Sequence, residues 1–441
     1  MRIEDTDLER SSPEMVEGIL QGMQWLGITW DEGPFHQTQR TELYKSAAAM
    51  LIESGAAYYC FCSKDELEKR RAKAAAESRP PRYEGTCRVL GREEGLRRKS
   101  AGEPAVVRFA VPEGGITSFD DAVFGKVEFS NNELEDFVLL RSDGSPTYHL
   151  SVVADDIDLR ISHIIRGADH ISNTPKQVLL YAALGAPLPT FAHVPLILGP
   201  DKTRLSKRHG ATSVIAYREE GIVPEAFRNF LALLGWTPPE GTPEVLGDSD
   251  MIRLFSLDGI SRSNAVFDRA KLDWFNTEYI RAYPAERLLP LIQEEWKRVG
   301  LEVQEDPAWV LSTIDLLKTR ARSLKDFAGS FRAFFSDEFD ADPAAVEKFL
   351  KDASVRELLV ELGGRYAELN DFSEAETEKI LRDFAAEKSV KAGALINGAR
   401  VAITGQGVAP SLFAVMKSMG KGRTVPRLRN VDKLIQRAIS A

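Results

Sequence analysis

The sequence predicts an α/β fold joined to an all-α one: a strand-and-helix region interrupted by a β-rich insert, then a long helical half. Three observations support this. Helical and strand periodicities alternate up to about residue 215. Between 106 and 150 a two-residue alternation takes over. Beyond about 216 the apolar residues fall almost wholly at helical spacing, as in Val355, Leu358, Leu359 and Leu362, or Ile380, Leu381 and Phe384, with Ser373 and Glu376 as a cap.

In chain order, residues 11–27 read as a helix. Ser11 and Glu14 are placed to form a capping box around Pro13, and Met15, Ile19, Met23 and Leu26 repeat before Gly27. A second helix near 39–54 stops at Gly55, and Ala57 to Cys62 has strand character. Ser63 and Glu66 cap a charged helix that runs out at Pro80-Pro81, whereas the polar stretch Gly91 to Gly102 reads as a loop. Val106, Arg108 and Ala110, then Val123 to Phe129, suggest strands. Phe137 to Leu140 leads into Asp143-Gly144, a hairpin-turn signal, with Thr147 to Leu150 as the return strand. Buried strands are expected at 150–154 and 161–166, a helix from Thr174-Pro175 to Gly185, and a strand from Ala192 to Leu198 ahead of Gly199-Pro200-Asp201.

At 441 residues the chain has room for about three domains. With 43% apolar and 28% charged residues and no run near the ~20 apolar residues of a membrane span, it reads as an ordinary soluble chain. The N-terminus has no apolar stretch of a secretory signal, so a cytoplasmic location without membrane contact is expected. The net charge of −9 argues against a nucleic-acid partner, but it is unevenly spread. From Lys388 to Ala441 ten Lys/Arg face the single Asp432, giving this tail +9 and leaving −18 on the rest. A basic end on an acidic body is a footprint of polyanion binding; the plainer alternative is a solvated basic face.

Three segments carry chemistry. Four cations, Lys202, Arg204, Lys207 and Arg208, lie within seven residues of a Gly-, Pro- and Ser-containing loop. Mobile ammonium and guanidinium groups suit phosphate oxygens on which charge builds; the alternative is a basic surface loop. Arg166-Gly167-Ala168-Asp169-His170 follows an apolar strand, where open α/β sheets bind ligands, and Arg166 offers a planar fork for a carboxylate. An ion pair with Asp155, Asp156 or Asp158 would be its structural role instead. Cys60, Cys62 and Cys87 are the only cysteines; an odd, clustered set suits metal better than disulfides. Three thiolates leave one position of a zinc tetrahedron for Tyr83 or a water, since Arg88 and Val89 follow; three reduced cysteines in a small core are the alternative.

Taken together, the segments resemble the bacterial glutamyl-tRNA synthetases, class I enzymes. The likeness rests on Arg2 to Asp7, Trp25-Leu26-Gly27, Asp31 to Pro34, Tyr58 to Cys62, Pro146-Thr147-Tyr148 and Val152 to Asp156. It continues through Arg166-Gly167, Asn173-Thr174-Pro175, Leu198 to Asp201, Leu205 to Val214, Phe267-Asp268, Lys271-Leu272 and Arg400 to Gly405, and so covers essentially the whole chain. It implies a Rossmann-like class I catalytic domain in two halves, 1–57 and 148–214, split by an acceptor-end-binding insert at 58–147. A stem-contact domain at 215–285 and a helical anticodon-binding region at 286–441 would follow. The implied reaction is ATP-dependent attachment of glutamate to tRNA(Glu) through glutamyl-adenylate, with Mg²⁺ accompanying ATP, by a monomer.

The resemblance assigns roles as well. Lys207 and Arg204 would be catalytic, with Lys207, Ser206, Arg208 and Asp169 binding ATP; Arg204 stands where the family more often has Lys. Glu4 would hold the substrate amino group, Tyr148 would line the pocket, and Arg166 would pair with the side-chain carboxylate. Cys60, Cys62, Tyr83 and Cys87 match a family zinc pattern, and Arg320 and Arg322 are implied anticodon contacts. One departure stands out: the family places a strand, a His-Ile-Gly-His-like ATP loop and a helix ahead of the Arg2–Asp7 segment, which Met1 directly precedes here. The expectation is an N-terminally incomplete catalytic domain from a truncated gene model, with a strand edge left exposed and a chain that binds tRNA but activates glutamate poorly. The rival is a non-catalytic tRNA-binding paralogue. A glutamyl transferase acting on modified tRNA bases is disfavoured by the full helical half, and glutaminyl-tRNA synthetase by the absence of a β-barrel pattern there.

Overall fold

Cysteines, acids and cleft residues are positioned by four small sheets and the helices laid on them. The computed structural model describes residues 1–6, 11–78, 80, 82–206 and 213–440, the last four through their backbone alone. Two units are present: one comprises Met1–Gly210, Ala232–Thr242 and Ser249–Phe267, the other Ala211–Leu231, Pro243–Asp248 and Asp268–Ala441.

In the first unit the strand Arg2–Ile3 pairs in parallel with Phe35–His36. Asp5 accepts hydrogen bonds from the Thr38 amide and hydroxyl, anchoring the turn that opens the helix Thr41–Glu53. The helix predicted from residue 11 spans Pro13–Trp25, and its cap is Ser12, whose hydroxyl accepts from the Met15 amide, not Ser11. Strands Ala57–Cys60, Val106–Phe109 and Val138–Leu140 form an antiparallel sheet. A four-stranded sheet runs in the order Gly125–Ser130, Ile116–Asp121, Thr190–Val194, His163–Gly167. The hairpin at 116–130 thus shares one sheet with the strands Thr190–Val194 and His163–Gly167, through the parallel pairing of Asp121 with Phe191. Tyr44, Leu51, Leu139, Leu150, Val153, Leu180 and Phe191 fill the core between these layers, each such side chain contributing about 1.5–3 kcal/mol of burial.

Several expectations change. The polar stretch at 91–102 is a helix, Gly91–Ser100, stabilised by an Arg97–Glu94 pair at 2.7 Å and by Gly95, which lies against Tyr59. The Ser63/Glu66 capping box is present at the head of Lys64–Ala76. The expected strand at 123–129 divides: Ala122 to Phe124 turn, with Asp121 Oδ1 accepting from the Val123 and Phe124 amides at 2.9 Å. The Asp143-Gly144 turn forms, but its return stops at a single Leu140–Pro146 bridge, and Tyr148–Asp158 is a helix. Residues 150–154 therefore lie in that helix and not in a strand, buried from Leu150 to Asp156 on every face. A continuous apolar run cannot by itself tell a buried helix from a buried strand.

The second unit is helical. Asn276 in the helix Arg269–Ala282 bonds the Val223 amide and the Gly221 and Arg322 carbonyls. The C-terminal helical stretch Leu412–Arg429 bends at Gly420, whose φ of +74° suits a residue without a Cβ. No helix among the described residues is long and apolar enough to cross a membrane.

Candidate active site and metal centre

The strand His163–Gly167 ends in a cavity of about 1270 Å³ lined by Glu4, Tyr148, Arg166, Asp169, His170 and Arg204. Five of the residues singled out in the sequence thus converge. Lys207 and Arg208 lie outside the described residues, and Ser206 closes the described part of that loop. The loop begins as a tight reversal, with Leu205 N–H on the Ile197 carbonyl at 3.0 Å and Asp201 accepting from the Thr203 hydroxyl at 2.7 Å. Arg204 Nη2 then reaches Asp169 Oδ2 at 3.0 Å, so the predicted catalytic Arg204 and the predicted ATP-binding Asp169 form one pair.

Arg166 is held by neutral groups. Its Nη2 donates to Thr174 Oγ1 at 2.8 Å and Gln177 Oε1 at 2.7 Å, and its Nε donates to His193 Nε2 at 3.2 Å. Nη1 has only a long contact, 3.4 Å, to the Tyr148 hydroxyl. Three of the five N–H bonds are spent on short contacts, leaving Nη1 with spare donors. The structural alternative fails: Asp155 accepts from Gln37, Arg40 and Tyr44, Asp156 pairs with Arg2, and Asp158 with Arg40. No described carboxylate forms an ion pair with Arg166, so the guanidinium presents net positive charge to the cleft. Glu4 Oε1, also in the lining, lies 2.8 Å from Arg2 Nη2. Burial raises the Tyr148 phenol above its ordinary range, so it is a neutral donor, with His170 Nδ1 3.0 Å away.

The sequence assigns no site role to Thr174, Gln177 or His193, and names His170 only as the end of the Arg166 segment. Thr174 signalled only a helix start, and a histidine within an apolar strand looks the same whether it packs or orients.

Cys60, Cys62 and Cys87 place their sulfurs within 4.8 Å of one another. The Cys62–Cys87 separation of 3.6 Å is close to the ~3.8 Å edge of a tetrahedron with ~2.3 Å zinc–sulfur bonds. Tyr83 Oη lies 3.3 Å from Cys60 Sγ but also accepts from the Cys87 amide at 3.0 Å. Burial opposes ionisation of Cys60, yet hydrogen bonds from Tyr83 and Arg108 hold its thiol below the ordinary value; burial and the Cys60 charge push Cys62 up to about 12. The donor set fits a thiophilic dication, which would relieve this crowding of thiolates.

The basic tail is less available than its count suggests. Arg427 donates to the Ala333 and Ile403 carbonyls at 2.7 and 2.8 Å and pairs with Asp337. Arg423 donates to the Phe334 carbonyl and pairs with Glu305, while Lys388 and Lys417 pair with Glu361 and Glu374. Four of the ten tail cations are therefore neutralised within the helical unit. Arg320 and Arg322 flank the buried Ala321 and are both exposed.

The matches to known proteins decide between the alternatives. Residues 1–274 match the family of class I tRNA synthetases (E and Q), catalytic domain, and residues 284–432 match an anticodon binding domain. Glutamate–tRNA ligase 2 of Koribacter versatilis (strain Ellin345) is 71% identical over 98% of this chain and 91% of its own length. The chain belongs to the glutamate–tRNA ligases. The glutamate–tRNA ligase of Thermodesulfovibrio yellowstonii is 44% identical, again over 98% of this chain and 91% of that one. A crystal structure of the Elizabethkingia meningosepticum ligase, solved in complex with its amino acid, superposes with a TM-score of 0.85 at 31% identity, covering 98% of this chain and 92% of that one. Class I catalytic architecture with a helical anticodon region is thus established for this ligase, and these matches do not favour the non-catalytic alternative.

Proposed function

We propose that this glutamate–tRNA ligase activates glutamate with ATP at the Arg166 cleft and transfers it from the adenylate to tRNA(Glu). The observation that carries the reading is Arg166, a partly buried cation bonded only to neutral partners with Nη1 left open. It receives the side-chain carboxylate of glutamate; the amide of glutamine would leave it without a counter-charge, a strong basis for rejection. Glu4, in the lining of the same cavity, takes the substrate ammonium, and Tyr148 donates to the same ligand. Arg204, Ser206, Lys207 and Arg208 follow the phosphates, with Asp169 orienting Arg204, and Mg²⁺ neutralises charge on ATP when bound. Catalysis rests on positioning and charge stabilisation, since the ribose hydroxyl of tRNA attacks a carbonyl already activated.

Lys207→Ala tests the assignment of the loop. Pyrophosphate exchange in the presence of tRNA should be abolished while tRNA binding survives; unchanged exchange would remove Lys207 from the chemistry. Zinc held by Cys60, Cys62 and Cys87, with Tyr83 or water as the fourth donor, would fix the insert that meets the acceptor end. Metal analysis should return about one zinc per chain, lost on Cys60→Ser; a chain purified without metal would make the cysteines a core cluster. Arg320 and Arg322 supply cations for the anticodon, whose unpaired bases are read by hydrogen bonds and stacking.

A further inference from the structure

Arg166 is itself gripped by a relay of side chains reaching into the insert hairpin. Its Nε always carries a proton, so His193 Nε2, 3.2 Å away, must present a lone pair. The ring proton therefore sits on Nδ1, 2.6 Å from Asp121 Oδ2. Asp121 is anchored in turn: Oδ1 accepts from the Val123 and Phe124 amides, and the His193 amide donates to Oδ2 at 3.2 Å. Both side chains are fully buried. Arg166 and His193 are register partners on adjacent strands, and Asp121 ends the next strand over, so the relay crosses three strands of one sheet. Burial depresses the His193 imidazole despite the neighbouring carboxylate, while backbone and ring hydrogen bonds keep Asp121 ionised against its burial.

We propose that Asp121 and His193 are positioning residues of the glutamate pocket: Asp121 fixes the tautomer of His193, whose Nε2 lone pair sets the rotation of Arg166 so that Nη1 faces the substrate carboxylate. The proposal rests on the reading that Arg166 receives that carboxylate. It also gives the hairpin at 116–130 a role in amino-acid selection, because Asp121, the last residue of its first strand, controls the donor geometry of the cleft.

Asp121→Asn is the informative change. The size and the Oδ1 acceptor are kept, but an amide donor now faces His193 Nδ1 and drives the ring proton to Nε2. There it meets Arg166 Nε–H, donor against donor. Loss of one hydrogen bond to a charged group corresponds to about a tenfold rise in KM for glutamate, with kcat and KM for ATP changed much less. In a His193→Phe background the same substitution should alter KM for glutamate by less than about twofold, because the ring that transmits the effect is gone. Equal effects in both backgrounds, or parallel shifts in the ATP constant, would make Asp121 a purely structural turn residue and overturn the proposal. Nitrogen-15 NMR of the histidine rings in the unaltered protein gives a second arm that no misfolded variant can spoil. It should find His193 neutral with the proton on Nδ1; an Nε2-protonated or charged ring overturns the relay. Arg166→Ala separates the two claims: an unchanged KM for glutamate defeats the pocket assignment, whereas a raised KM beside an inert Asp121→Asn defeats the relay alone.

Discussion

Arg166 and Arg427 carry the same charge into partly buried surroundings, and the molecule uses them in opposite ways. Arg427, with 9% of its side chain exposed, is saturated by the carbonyls of Ala333, Ser336 and Ile403 and by Asp337. Arg166 meets Tyr148, Thr174, Gln177 and His193, none of them an anion, and keeps Nη1 in reserve. A guanidinium whose two terminal nitrogens are bonded by its own chain, one of them to a carboxylate, holds a fold together. One left short of a counter-charge in a cavity awaits a ligand. Counting charges along a sequence cannot separate these cases, because the difference lies in the partners.

The comparison breaks first at Arg166→Ala. We expect kcat/KM for glutamate to fall by about a thousandfold, since a desolvated carboxylate would lose its counter-charge, while the urea midpoint of unfolding stays within error. A large loss of stability would place Arg166 beside Arg427. For Arg427→Ala the expectation is reversed: about 3 kcal/mol of unfolding free energy lost, because several carbonyls lose a charged donor, with KM for glutamate unchanged. Stability equal to that of the parent chain would show that the carbonyls find water.

The cleft's surplus of positive charge has a pH signature. Burial, with Lys176 and Arg166 adding to it, pushes His149 down from 6.5 to about 4. The unfolded chain therefore takes up a proton on this ring at a pH where the folded chain does not. Its contribution to stability is full above about 6.5 and is lost as pH falls towards 4, by about 3 kcal/mol at most. His149→Gln should flatten this part of the stability profile between pH 7.5 and 4.5; an unaltered slope would assign the acid sensitivity elsewhere.

The smallest effects belong to Arg320 and Arg322, exposed at the surface of the helical unit. Replacing either with Ala should weaken tRNA(Glu) binding several-fold and reduce the salt slope by about one, with no change in unfolding. Full affinity in both variants would move the anticodon contacts to other residues.

Much of this was legible beforehand, for identifiable reasons. The capping box at Ser63 and Glu66 declares itself through local hydrogen bonding and the helix at Thr174-Pro175 through a proline in its first turn, and both stand in the structure. The helix Gly91–Ser100 left no such trace, because it buries little beyond Gly95 and is stabilised by charge pairs without an apolar stripe. The stretch after Thr147 misled in the opposite way: a helix buried on all sides prints a short, mostly apolar run like that of a central strand. In the cleft, Glu4, Tyr148 and Arg166 were found from their motifs. Asp121 and His193 were not, since they are 72 residues apart in sequence and become neighbours only when the sheet forms. The tail shows the limit of composition, where four cations counted towards a polyanion surface turned out to be paired inside the helical unit.

Selectivity between two amino acids shows whether Arg166 reads the charge of the substrate side chain. The ratio of kcat/KM for glutamate over glutamine should be measured in pyrophosphate exchange for the parent enzyme and for Arg166→Gln. If Arg166 has that role, the parent prefers glutamate strongly, on the order of ten-thousandfold, and the preference collapses to within about a hundredfold when the guanidinium is replaced by an amide. A preference that survives the substitution intact would contradict that role.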